Sequence, residues 1–199
     1  MRVIARNLLL ALIFLLSPNL AQAAPADTVE TYHDRLLQAT GENKGKSDEA
    51  RFKSLAPAMD AAFDFESMIK TIAGSYWQKA SPDAREALVH AFRRVSIATY
   101  ADQFGGITDG TFDIKGTRDG PRGLKLVDSH LKTGSESVIM TYVVRDKDGA
   151  WRIIDVLLKG GISELAVRAS EYSSILKSGG VEGLTATLND QATTLLKSN

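Results

Sequence analysis

The sequence predicts an α+β protein, with helical blocks at both ends packed around a curved antiparallel sheet of about four strands. Three observations lead there. Amphipathic segments bounded by capping residues fill residues 27–104. Short β-rich runs separated by Asp-Gly turns fill residues 108–158. Helical periodicity returns from Ile162 onward.

The chain opens with a segment that belongs to none of these blocks. Arg2 and Arg6 form a basic start, and Leu8 to Leu16 is an unbroken apolar run. Pro18 breaks it, and Ala21-Gln22-Ala23 offers small residues around a cleavage point. That is the pattern of a secretory signal peptide, and the run is too short to span a bilayer comfortably. Residues 1–23 are expected to be removed, leaving residues 24–199 as one exported domain. No cysteine follows the cleavage point, so no lipoprotein anchor is expected.

In the first helical block, Thr28 to Ala39 reads as a short helix ended by Gly41, followed by a polar loop to Lys46. Ser47 to Phe63 reads as helix broken around Pro57, because a proline lacks a backbone donor and clashes with the preceding turn. Asp64 is placed to cap a helix that stops at Gly74. Ser81-Pro82-Asp83 combines a cap, a first-turn proline and an acid. The helix it opens runs to about Gln103, with Leu88, Ala91, Phe92 and Val95 on one stripe. Val89 and Tyr100 widen that face, and Arg94 falls opposite.

The strands are expected at Phe112–Thr117, Leu124–Lys132, Ser137–Arg145 and Ala150–Leu158. In the third, Val138, Met140, Tyr142 and Val144 alternate onto one face, and Ile139 and Val143 onto the other. Strict alternation in the fourth puts Trp151, Ile153 and Leu157 on one side and Ile154, Val156 and Leu158 on the other. Apolar residues on both faces predict that both are covered, by protein or by ligand. Asp155 stands at an inward position between Ile153 and Leu157, where an aspartate has to be hydrogen-bonded or paired. An anchor to a neighbouring helix is the favoured role; contact with a ligand head group is the other. In the last block Leu165, Ala169, Tyr172 and Leu176 form a stripe that stops at Gly179-Gly180. A final helix carries Val181, Leu184, Leu188 and Leu195.

Composition excludes several function classes. Basic and acidic residues balance at 24 each, so no net field draws the chain to nucleic acid or to an anionic membrane. Without cysteine there is no disulfide, no thiolate metal site and no cysteine nucleophile. His33, His90 and His130 do not stand at metal-ligand spacing, and no carboxylates pair for acid–base work. Gly45-Lys46-Ser47 lacks the first glycine of a phosphate loop, because Thr40 occupies its place. Gly161-Ile162-Ser163-Glu164-Leu165 lacks the closing glycine of a nucleophile elbow, and Ser163 reads as a helix cap. Neither enzyme, metal nor cofactor is expected.

The run Trp151-Arg152-Ile153-Ile154-Asp155-Val156, then Gly160, Ser163, Tyr172, Ile175-Leu176, Gly180, Gly183-Leu184 and Leu188, resembles the C-terminal half of the MlaC, or toluene-tolerance, family. Weaker matches at Phe63-Asp64-Phe65, Tyr76-Trp77 and Tyr100 to Phe104 extend the resemblance over most of the exported chain. Gly160-Gly161-Ile162-Ser163 has one residue more than the family's usual spacing. The stretch from Ile162 to Ala166 is closer to the hopanoid-associated HpnM branch. The resemblance implies helices around a strongly twisted antiparallel sheet, similar to NTF2-like folds, with a lipid pocket between them. It also implies a soluble periplasmic carrier of phospholipid or hopanoid. Such a carrier passes its cargo between an inner-membrane lipid transporter complex and an outer-membrane lipoprotein and porin complex. A monomer is expected.

Apolar side chains on the two facing layers are the candidates for the pocket wall. They are Val138, Met140, Tyr142, Trp151, Ile153 and Leu157 from the sheet, and Phe92, Val95, Tyr100, Leu165 and Tyr172 from the helices. From the residues alone two rivals stay open. One is a small periplasmic enzyme of NTF2-like shape using Asp155. The other is an adaptor that binds only proteins.

Overall fold

A computed structural model describes residues 24–197 apart from Gly106, Thr108 and Ser135. The signal segment expected at residues 1–23 lies outside the described residues. Helices α1 (Pro25–Glu42), α2 (Asp48–Ala62), α3 (Phe65–Ala73), α4 (Ser75–Lys79) and α5 (Pro82–Gln103) come first. Strands β1 (Thr111–Asp119), β2 (Lys125–Thr133), β3 (Glu136–Lys147), β4 (Ala150–Leu158) and β5 (Ile162–Ser163) follow, and α6 (Glu164–Lys197) closes the fold. The α+β class holds, with a fifth strand of two residues added at the edge.

Polar caps set the helix starts, at Asp64 and Ser81 as expected and at Ser47 in addition. Ser47 Oγ accepts the Ala50 amide at 3.3 Å, Asp64 Oδ1 that of Ser67 at 3.2 Å, and Ser81 Oγ that of Ala84 at 3.2 Å. Two expectations fail in this block. First, α1 does not stop before Gly41 but runs through it to Glu42, where Asn43 closes the end by donating to the Ala39 carbonyl at 2.7 Å. Second, Pro57 does not break α2, which continues to Ala62. Pro57 and Lys53, one turn earlier, both face solvent, so water can take up the carbonyl that the proline leaves unbonded. Arg94 also departs from the predicted pattern. It does not point away from the core but donates to the Asn189 carbonyl (2.9 Å) and to Thr193 (3.1 Å), joining α5 to α6.

The sheet is an antiparallel meander in the order β1-β2-β3-β4-β5. Asp148 (φ 55°) and Gly149 (φ 85°) make the two-residue turn between β3 and β4, a left-handed pair whose twist suits a tight hairpin. Register then changes inside this pair. Val143 lies opposite Asp155 but Val144 lies opposite Ile153, so Ile154 is one residue too many on β4. This bulge reverses the alternation. Ile153, Val156 and Leu158 share the inner, helix-covered face, and Asp155 and Leu157 turn to the outer face. The strict alternation read from the sequence is wrong from Asp155 onward for this reason. Nor is the outer face covered throughout: Val143 is buried, but Ile139 is 53% exposed.

Asp64 fastens the helical layer to the sheet. The Asp64 amide donates to the Ile153 carbonyl at 2.9 Å, and Phe63 forms a parallel bridge to Ile153. The Asp64 carboxylate, on a residue only 4% exposed, accepts from Ser67 Oγ (2.8 Å), Arg145 (2.8 Å) and Lys147 (3.1 Å). Burial alone would raise its pKa. The bonds from Ser67 and Lys147 outweigh burial and hold it below the ordinary carboxylate value. Replacing Asp64 with alanine removes a cap and this anchor. Urea unfolding of Asp64→Ala should show a loss of about 2 kcal/mol at neutral pH. The difference from wild type should shrink as pH falls below about 4, where the unfolded chain begins to take up the proton, and be lost as pH passes through the lower pKa of the folded state.

Candidate functional site

The inner sheet face and the α5 and α6 stripes line opposite sides of one space. Between them lies a cavity of about 840 Å³. One wall is the inner face of β2–β4, with Leu131, Val138, Met140, Tyr142, Val156 and Leu158. The facing wall comes from α5, with Phe92, Val95 and Tyr100, and from both halves of α6, with Leu165, Tyr172 and Leu195. The corner between α2 and α3 adds Met59, Phe63, Phe65 and Met68. Polar lining groups are few relative to this apolar surface. Arg168, Glu164 and Asp190 are the charged ones, joined by hydroxyls and amides from Ser96 to Thr194.

Aromatic rings make one side rigid. Tyr32 meets Phe63 edge to face at 5.1 Å between centroids, Phe63 stacks on Phe65 at 5.7 Å, and Tyr100 stacks on Phe104 at 5.5 Å. Behind the wall, His33 stacks on Phe112 at 3.8 Å. The Tyr142 hydroxyl lies 2.9 Å from His33 Nε2 and 3.0 Å from Met140 Sδ, within hydrogen-bond reach of both. Burial lowers the His33 pKa to about 3, which keeps the imidazole neutral. Burial, and next the nearby Glu164 carboxylate, push the Tyr100 phenol up to about 12. None of these groups is poised as an acid or base near neutral pH.

Of the eleven side chains read from the sequence as pocket wall, the structure brings eight around this cavity: Phe92, Val95, Tyr100, Val138, Met140, Tyr142, Leu165 and Tyr172. Three lie elsewhere. Leu157 faces outward because of the bulge. Ile153 is fully buried beside Phe63, and Trp151 lies beyond it toward the β3–β4 turn, where the Trp151 carbonyl accepts from Thr28 Oγ1. That end of the sheet is covered by α1, α2 and α3. Phe63, Phe65, Phe104 and Ile107 were missed because they stand at helix ends, where periodicity carries no face assignment. The apolar residues on both sides of the Asp64 cap were the available signal for the first two.

Asp155 is a structural anchor. Its carboxylate accepts from Ser163 Oγ at 2.6 Å, from the Leu165 amide at 3.1 Å and from the Val156 amide at 2.8 Å. Ser163 Oγ in turn accepts the Ala166 amide at 3.0 Å. Strand β4 is thereby tied to the start of α6. The inward position predicted for Asp155 is corrected by the bulge, and the carboxylate is not among the groups lining the cavity. Among the described residues no cluster of three metal-ligating side chains exists. A second depression of about 720 Å³ lies along α1 and α2, but Asp27, Arg35, Glu42, Lys53 and Arg152 line it. It is unsuited to hydrocarbon.

Fold and cavity together define a helix-wrapped, curved-sheet protein built around one large apolar pocket. The chain belongs to the MlaC protein family, whose sequence model matches residues 30–190. Among solved structures, the fold is shared with a phospholipid-binding protein from Ralstonia solanacearum, solved in complex with a phospholipid. The two align with a TM-score of 0.78 and 22% sequence identity, over 88% of this chain and 100% of that one. A search of curated proteins finds no match.

The neutral His33 makes the fold acid-sensitive. Its folded pKa lies below the unfolded value of about 6.5, so the unfolded chain takes up the proton first. Stability should be constant above pH 7 and fall as pH drops through 6.5, by about 2 kcal/mol at pH 5. His33→Gln should flatten that slope in urea titrations between pH 7 and 5.

Proposed function

We propose that this protein is a soluble, non-enzymatic periplasmic carrier of phospholipid, exported by the segment at residues 1–23. It acts as a monomer and exchanges cargo with an inner-membrane transporter complex and an outer-membrane lipoprotein and porin complex. The observation that carries this reading is the apolar cavity. A methylene occupies about as much space as a water molecule in the liquid, roughly 30 Å³, so about 840 Å³ accommodates roughly 28 methylene-sized groups. That matches the bulk of two acyl chains. Burying about 30 methylenes at about 0.8 kcal/mol each contributes on the order of 25 kcal/mol. Few polar contacts could equal that, so the chains dominate affinity.

Other observations support the same reading. Val138 is 40% exposed and Ile162 52% exposed. Val138 lines the cavity, and Ile162 pairs with the lining residue Leu158, so apolar surface reaches solvent at this end of the pocket. A carrier needs such an entrance for hydrocarbon. Family membership and the phospholipid in the Ralstonia structure point the same way. Against the enzyme rival, the Asp155 carboxylate that it would use is bonded to Ser163 and the Leu165 amide.

Purified protein, denatured and extracted with organic solvent, should release about one phospholipid per chain by mass spectrometry. Val95→Trp, which places an indole toward the cavity, should keep the native circular dichroism and lose most of that lipid. Hopanoid in the extract would preserve the mechanism and change the cargo. An empty wild-type protein would favour the protein-only adaptor instead.

A further inference from the structure

Among the described residues, every charge that lines the cavity sits on α6, and only one of them is positive. Arg168 is the sole cation among the lining residues, with Glu164 one turn before it and Asp190 beyond the Gly180 kink. Its side chain is 37% exposed, neither sunk in the core nor free in solvent. One guanidinium nitrogen donates to Glu171 at 2.8 Å, and the guanidinium lies against the Tyr172 hydroxyl. The Glu164 carboxylate is a third neighbour, and a guanidinium, with five N–H donors in a planar fork, has more donors than these three groups take up. The remaining donors border a space whose other walls are largely apolar.

Building on the carrier reading, we propose that Arg168 binds the phosphodiester of the cargo's head group, making this cavity selective for phosphate-bearing lipids over uncharged ones. A planar fork of donors matches the oxygens of a phosphate better than those of any uncharged head group. The position suits the task, because Leu165, one turn earlier on the same helix, lines the hydrocarbon space. Acyl chains would lie against Leu165 while the phosphate meets the partly exposed Arg168. Glu164 and Asp190 make the lining acidic on balance. A free phosphate dianion is therefore not drawn in, and recognition requires the acyl chains to bring the head group into range. This assigns a phospholipid rather than an uncharged hopanoid as the fitting cargo.

The test compares two lipids with identical acyl chains: zwitterionic phosphatidylethanolamine, which carries the phosphate without net charge, and diacylglycerol, which lacks it. Each competes for delipidated full-length mature protein against a fluorescent fatty acid. Wild type should favour phosphatidylethanolamine about tenfold. Arg168→Gln should bring the two lipids within about twofold of each other, through weaker phosphatidylethanolamine binding. Arg168→Lys should keep part of the preference. Millimolar inorganic phosphate should displace neither lipid.

Equal binding of the two lipids by wild type overturns the assignment, and so does a preference that survives in Arg168→Gln. Displacement by inorganic phosphate alone also overturns it, by marking a free-anion site. Failure of wild type to bind either lipid sinks the carrier reading itself. Loss of diacylglycerol binding in Arg168→Gln would make the residue structural and reject the head-group role.

Discussion

Close packing is the rule inside proteins, and this fold keeps an interior that its own side chains do not fill. Left empty, so large an apolar space forfeits the packing contacts that its walls would otherwise make. Flooding with water avoids the void but wets apolar walls such as Phe92, Val95, Met140 and Val156. An apolar occupant resolves the conflict, and the neighbouring structure can be read as the frame that holds the space open.

Three features make that frame. The ring contacts from Tyr32 through Phe63 to Phe65, and from Tyr100 to Phe104, stiffen the wall. The β4 bulge turns Val156 and Leu158 inward and frees Asp155 to bind Ser163 and the Leu165 amide, fixing where α6 begins. Gly180, at φ 63° and ψ −157°, breaks the helical geometry of α6. Side chains before it, Leu165 and Tyr172, and after it, Leu195, all reach the cavity. A side chain at that φ would be strained, so the kink depends on glycine.

Local chemistry was the legible part of the sequence. Asp64, Ser81 and Ser163 cap helices because their side-chain oxygens suit free amides, and that rule needs no tertiary context. Alternation also held in β3, where Met140 and Tyr142 point inward as expected. It failed in β4 because a bulge is a property of the strand pair, invisible in either strand alone. Pro57 was misread for a similar reason: its cost depends on whether the freed carbonyl faces water, which only the packed helix decides. The cavity itself was legible only as surplus apolar surface. Which residues bound empty space and which, like Ile153, fill core is fixed by how the layers sit on each other.

The most direct test of the claim that this interior exists to hold hydrocarbon is thermal unfolding of delipidated mature protein with and without a stoichiometric excess of phospholipid. Binding to the folded state alone raises its stability. The account predicts that the delipidated protein melts several degrees lower and that lipid restores the difference, with saturation near one lipid per chain. Coincident melting curves for empty and lipid-treated protein would contradict it.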